Sequence, residues 1–294
     1  MDLKSKLDAG KFVILAEMEP PKGVDIALMV ANAKAVKGDI DAFVIPEMSN
    51  AVMRMSALGG AIVLRQTGVE IIMEVCCRDR NRLALQADLL AAYACGVANV
   101  LVTTGKSAAY GDHHQAKEVY DIELIELLHA IQKLQTGKDM SGIDLVGSPR
   151  FLTSSTVNAS LKGDPLKKTL EDMAKMAEAG VEFFVIPPLF DLDSIKEFLH
   201  EADLKKTKII PTVLLLKSVG MARYIERNIE NISIPGSLIE RIQRSSDKPK
   251  ECVNIAAEMA NTLKKEGFSG VVFSTIGWEQ KLPDIIRQME YLER

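Results

Sequence analysis

Aromatic side chains are scarce in this chain: nine Phe, five Tyr and one Trp amount to 5% of 294 residues. Any large core must therefore be aliphatic, as in sheets whose strands are covered on both faces and read as continuous Val/Ile/Leu runs. Cysteine is sparse too. Cys76, Cys77, Cys95 and Cys252 are spaced neither as a zinc site nor as a disulfide framework, so a reducing, cytoplasmic setting is expected. Cys76 and Cys77 are adjacent and would point to opposite faces of a strand, which makes them poor partners for one another. No clustered Lys/Arg run is present and the net charge is −4, which argues against nucleic acid as a partner. No apolar stretch approaches the ~20 residues of a membrane span, and the first residues, MDLKSKLDAGKF, read as mature protein without a leader.

What the chain does have is 47% apolar residues, organised as short β-rich runs alternating with amphipathic helical stretches. Strands are expected at Phe12, Ala42, Glu70, Asn99, Asp144, Phe183, Lys208 and Gly270, each opening an apolar run. Gly68-Val69, Gly96-Val97, Gly180-Val181 and Gly267-Phe268 recur where a helix should end and a strand begin. Glycine there suits a left-handed C-cap, so the recurrence marks αβ junctions. About eight such units predict an α/β fold, a (β/α)8 TIM barrel, over residues 1–294 as one domain. A doubly wound sheet uses the same units, but no GxGxxG follows the first strand. The seventh unit is longer than the rest, and extra helices are expected there, with a break at Pro249.

In such a barrel the chemistry belongs at the C-terminal strand ends. Those ends carry Glu17-Met18-Glu19-Pro20-Pro21, Pro46-Glu47, Glu74, Thr103-Thr104-Gly105-Lys106, Pro187-Pro188-Leu189-Phe190-Asp191 and Thr275-Ile276-Gly277-Trp278-Glu279. Acidic residues inside apolar strands are costly to bury. Glu17, Glu47 and Glu74 are therefore either members of a catalytic mouth or ion-pair partners of Arg54, Arg78 or Arg82. Glu17 and Glu19 are read as lying on alternate faces, so only one of them is expected to face the barrel interior. Asp112-His113-His114 follows the fourth strand but lacks the further ligands a metal needs, so no metal is expected. Ser107 to Lys117 reads as a mobile lid.

These residues carry a resemblance. The Glu17-Met18-Glu19-Pro20-Pro21 strand end, Asn50 to Ser56, Cys77-Arg78-Asp79-Arg80-Asn81, Gly96 to Gly105, Val119-Tyr120-Asp121, Ala179-Gly180-Val181, Leu216-Lys217-Ser218 and Ile234-Pro235 follow in the order and spacing of the methylenetetrahydrofolate reductase family. The resemblance runs along nearly the whole chain. It implies reduction of 5,10-methylenetetrahydrofolate to 5-methyltetrahydrofolate by hydride from FAD and NAD(P)H, with Glu17 as the general acid at N10. It implies a cofactor site among Glu74, Arg78, Thr104, Gly105, Lys106 and Tyr120, and a substrate site among Glu47, Pro187, Phe190 and Trp278. A pterin or folate is then the small-molecule partner, and association as a homo-oligomer or partner subunit is expected. Several positions depart from the family pattern. Lys106 stands where the family has Asp, Pro187 replaces Gln, Met176 a Lys, Glu74 a His, and Gly277-Trp278 an Asn-Arg pair. An Asp-to-Lys exchange reverses charge, and proline offers no side-chain hydrogen bond. The alternatives are a rebuilt flavin site, a barrel that takes hydride without tightly bound flavin, and a folate-binding methyl-transfer or partner protein that no longer reduces.

Overall fold

The computed structural model describes residues 1–229 and 232–292. Eight parallel strands pair in sequence order, and the first also pairs with the eighth, closing the barrel. They are β1 (Val13–Glu17), β2 (Ala42–Ile45), β3 (Ile71–Cys76), β4 (Asn99–Thr103), β5 (Leu152–Thr156), β6 (Phe183–Pro188), β7 (Lys208–Leu214) and β8 (Gly270–Ser274). Two hydrophobic clusters result, as a double-covered barrel requires. One fills the barrel interior with Val13, Leu15, Val44, Ile72, Leu101, Phe183, Ile210 and Val272. The other lies between the strands and the surrounding helices.

The fifth strand is not where the sequence suggests. Asp144 lies in a loop, where it makes only an isolated bridge to Lys138, and the strand is Leu152–Thr156. Its sequence, LTSST, reads as polar. Ser154 and Ser155 are nonetheless fully buried, because their hydroxyls donate to the carbonyls of Val100 and Val102 on β4, each at 2.9 Å. Once its hydroxyl is satisfied, serine is inexpensive to bury, and the apolar pattern that signals a strand disappears.

The recurrent glycines behave as expected: Gly68, Gly96, Gly180 and Gly267 have φ of 80°, 84°, 94° and 84°. The enlarged seventh unit contains α8 (Val219–Asn228), α9 (Gly236–Arg244) and α10 (Lys248–Lys265). Arg241 ties α9 to α10 through Glu251 (2.7 Å) and Glu258 (2.7 Å). Pro249 does not break a helix. It sits in the first turn of α10, where a missing N–H costs nothing, behind an Asp247 cap that accepts the Lys250 amide at 3.1 Å.

The opposite end of the barrel is closed by α1 (Leu3–Asp8), whose Leu3 and Leu7 join the interior cluster. The Leu3 amide donates to Glu70 (3.3 Å), Lys4 pairs with Glu182, and Lys208 pairs with Asp8 (2.6 Å), so the plug is tied to three strand entrances. With that end stopped, the open mouth is the one formed by the C-terminal strand ends.

Candidate active site

Two adjoining chambers of 350 Å³ each occupy that mouth. Glu17, Ser49, Lys106, Pro187, Pro188 and Ser274 line both. The inner chamber adds Glu74, Thr103, Thr104, Gly105, Thr156 and Thr212 over an apolar floor of Val44, Leu101, Val185 and Val272. The outer chamber adds Glu19, Asn50, Asn158 and Glu279, with Ile229, Ile232 and Ile276. Together they offer room for two small ring systems in contact, with Glu17 and Lys106 at the boundary.

Glu17 is the last residue of β1, paired with Val44 of β2 just before the Pro20-Pro21 turn. Removal from water pushes its carboxyl above the usual range, and the hydroxyl of Ser274 and the Lys106 ammonium only partly oppose that. A raised carboxyl can carry a proton near neutral pH and is a usable general acid. Glu19 lines the outer chamber as well, so the expectation that only one of the pair faces inward fails: residues two apart along an extended chain project to the same side. Glu19 pairs with Arg54 at 2.9 Å.

Glu74 projects from β3 and is buried. Its Oε1 accepts the Thr103 hydroxyl at 3.0 Å and its Oε2 the Ser49 hydroxyl at 3.3 Å. Burial, reinforced by the Glu17 charge, raises its pKa to about 7. No Arg or Lys pairs with it among the described residues. Glu47 has a different environment. It is buried outside both chamber linings, accepts the Ala57 amide at 2.7 Å at the start of α3 (Ala57–Arg65), and pairs with Arg80 at 3.2 Å. The ion-pair alternative thus describes Glu47 but not Glu74, and its partner is Arg80 rather than Arg54, Arg78 or Arg82.

Other sequence-selected residues divide into chamber walls and supports. Lys106 follows Gly105, whose φ of 85° turns the chain; a Cβ there would come within 2.4 Å of Cys76 Sγ. Arg78 is fully buried and braces two loops, donating to the carbonyls of Lys106 (2.8 Å) and Met48 (3.3 Å) while paired with Asp79 (2.7 Å). Pro187 is exposed at both chambers, where the β6–β7 register slips between Ile186 and Pro188, as expected of a residue with no amide to give the ladder. Phe190 is buried in the outer core and Trp278 packs on that core beneath Lys217, 5.3 Å from the ring centroid; neither lines a chamber. All four non-glycine residues with positive φ among those described, Met48, Ala51, Tyr120 and Ile276, lie in loops at this mouth. Backbone strain of this kind collects at functional sites.

Ser107 to Lys117 lies against the loop after β2. Asp112 accepts the Met53 amide at 2.9 Å and pairs with Lys22. His113 turns to Asp112 (2.8 Å) and His114 to the Ala109 carbonyl (3.3 Å). No group of three metal-ligating side chains occurs among the described residues. A Cβ on Gly111 would fall 1.7 Å from the Ala51 carbonyl oxygen. Gly111→Ala is therefore expected to unseat this segment. Limited proteolysis should cut within 107–117 about tenfold faster, with the global melting temperature almost unchanged, because the contact is peripheral to the core.

A flavin dinucleotide needs a place for its diphosphate. Tyr120, Thr104 and Met176 line a separate cavity of 490 Å³ at the start of α5 (Leu124–Gln135). The charged residues in that lining are Glu123 and Asp172, both acidic. Arg78 and Arg82 are engaged by Asp79, Asp121 and Glu126. Tyr120 donates weakly to the Gly105 carbonyl at 3.4 Å. An anion is favoured by cations and free helix-terminal amides, and carboxylates repel it. This lining does not fit the diphosphate of FAD.

The fold and mouth define a (β/α)8 barrel, plugged at one end and carrying paired chambers with a buried acid at the other. Within that class the particular kinship is plain: the chain belongs to the methylenetetrahydrofolate reductase family, whose model matches residues 2–290. Among solved structures it is similar to a phosphoenolpyruvate phosphomutase from Streptomyces platensis subsp. rosaceus, with TM-score 0.55 and 15% identity over 99% of this chain and 86% of that one. It is also similar to a 2,3-dimethylmalate lyase of the PEP mutase/isocitrate lyase superfamily, with TM-score 0.56 and 12% identity over 99% and 83%. At such identities the likeness extends to the barrel fold and no further. No curated protein matches the chain. Among the described residues no helix is long and apolar enough to cross a membrane.

Proposed function

We propose that this chain is an oxidoreductase that reduces 5,10-methylenetetrahydrofolate to 5-methyltetrahydrofolate with NAD(P)H as the hydride source. The observation that carries the reading is Glu17, a raised carboxyl at the boundary of two chambers sized for two rings. In the step proposed, Glu17 gives its proton to N10 as the bond from N10 to the bridging carbon breaks. The resulting iminium carbon accepts hydride from the dihydronicotinamide, giving the methyl group and NAD(P)+. Both substrates must be held with the reacting atoms ~3–3.5 Å apart, which adjoining chambers allow. Lys106 restrains the rise of the Glu17 pKa and so stabilises the carboxylate left once the proton has been given up. No step passes through a flavin, because the lining beside Tyr120 carries Glu123 and Asp172.

The test is the spectrum of the purified chain together with its NAD(P)H oxidation. The expected result is no flavin absorbance, no uptake of added FAD, and NAD(P)H oxidation that depends on 5,10-methylenetetrahydrofolate. Stoichiometric FAD would overturn direct transfer. Folate binding with no NAD(P)H oxidation would favour the second reading, a folate-binding methyl-transfer or partner protein, to which the acidic Tyr120 cavity also lends support.

A further inference from the structure

The inner chamber has an asymmetric polar wall. On β3 a buried carboxylate, Glu74, faces the chamber without a cationic partner among the described residues. Just past the adjoining β4 an ammonium, Lys106, lines the same space. A carboxylate offers about four acceptor sites. The hydroxyls of Thr103 and Ser49 occupy one on each oxygen and the Glu47 backbone amide approaches the same carboxylate, which fixes the carboxyl plane and still leaves it acceptor capacity toward the chamber. Burying such a group without a cation is costly, and a ligand that brings N–H donors relieves that cost. Glu17 is the other acid in the chamber, but it lines the outer chamber too and must keep its proton for the reacting nitrogen.

We infer that Glu74 and Lys106 together read the 2-amino-4-oxopyrimidine edge of a pterin, Glu74 accepting from the 2-amino group and N3–H and Lys106 donating to the 4-oxo oxygen. Three groups in a row on that edge run donor, donor, acceptor, and the wall presents acceptor, acceptor, donor. The apolar floor of Val44, Leu101, Val185 and Val272 suits the flat face of the ring. Glu74 is then the specificity residue of the inner chamber. The ligand's identity rests on the folate reading above, whereas the recognition itself does not require that reduction occur.

The experiment compares two probes that differ only at this edge, 6,7-dimethylpterin and 6,7-dimethyllumazine, the second carrying an oxo group in place of the 2-amino group. The wild-type chain should bind the pterin at least about tenfold more tightly, since a site built to accept N–H donors rejects an oxygen in their place. Glu74→Gln should reduce that preference to about twofold or less, because its amide can turn a donor toward the 2-oxo group. Glu74→Asp, which withdraws the carboxylate by one methylene, should keep the preference while weakening pterin binding at least about fivefold. Equal binding of the two probes by the wild-type chain, or binding of neither, overturns the assignment. An undiminished preference in Glu74→Gln does the same, as does unweakened pterin binding by Glu74→Asp. If pterin is preferred but 5,10-methylenetetrahydrofolate supports no NAD(P)H oxidation, the reductase reading fails and this assignment stands. If oxidation proceeds without probe discrimination, the reverse holds.

Discussion

Glu17→Gln should lower kcat/KM by about 10²–10⁴, the usual contribution of a positioned general acid. Affinity for substrate and the melting temperature should change little, because glutamine fills the same space and keeps a hydrogen bond to Ser274. Glu17 must be protonated to act, so activity should fall as pH rises through its raised pKa. The Lys106 charge opposes that rise, and Lys106→Met should therefore move the falling limb to higher pH. Steady-state rates across the pH range for the wild type and both variants check this. A Glu17→Gln enzyme with undiminished turnover, or a falling limb that Lys106→Met leaves in place, would remove Glu17 from the mechanism.

Glu74→Gln should stabilise the ligand-free chain, and more so at alkaline pH. Burial raises the pKa of folded Glu74 to about 7, from 4.5 for a free side chain. The native state thus holds a proton there that the unfolded chain releases at lower pH, so ionisation costs stability as pH rises from the lower value through the higher one. Neutral glutamine escapes that cost. The gain should be on the order of 3 kcal/mol above roughly pH 8 and about 1 kcal/mol or less near pH 5. Thermal melts at the two pH values read it directly. A gain of equal size at both, or a loss at the higher one, would show that Glu74 is not an isolated buried carboxylate. The same substitution is expected to erase pterin selectivity, which makes Glu74 a residue kept at the expense of stability.

These two glutamates show how far the sequence carries and where it stops. An acidic residue inside an apolar strand was legible as an anomaly at Glu17, Glu47 and Glu74 alike. Their different fates were not, because each depends on neighbours from other strands. Arg80 and the first turn of α3 satisfy Glu47, whereas hydroxyls and the Glu47 backbone amide, but no cation among the described residues, reach Glu74. Arg78 was legible as a site residue by its motif, yet its guanidinium works by holding the Lys106 and Met48 carbonyls in place. Phe190 and Trp278 stand at strand ends in the sequence but turn into or onto the outer core. Ser274 carried no signal at all, being one serine in an apolar strand, and its part in the site follows from β8 closing the barrel beside β1.

The sequence by itself determined the α/β repeat, the closed barrel and the family, since short continuous apolar runs, left-handed glycines and motif order are local properties of the chain. It missed β5 because serine hydroxyls bonded to a neighbouring strand make buried positions read as polar. It also left the Leu3–Asp8 plug unassigned, since six residues with two leucines acquire a role only when they meet the barrel's open end. Which carboxylates stay unpaired, and which cations remain free to meet an anion, only the tertiary structure decided. Charge pairing depends on distances between residues far apart in the chain, and those distances exist only once the barrel has closed.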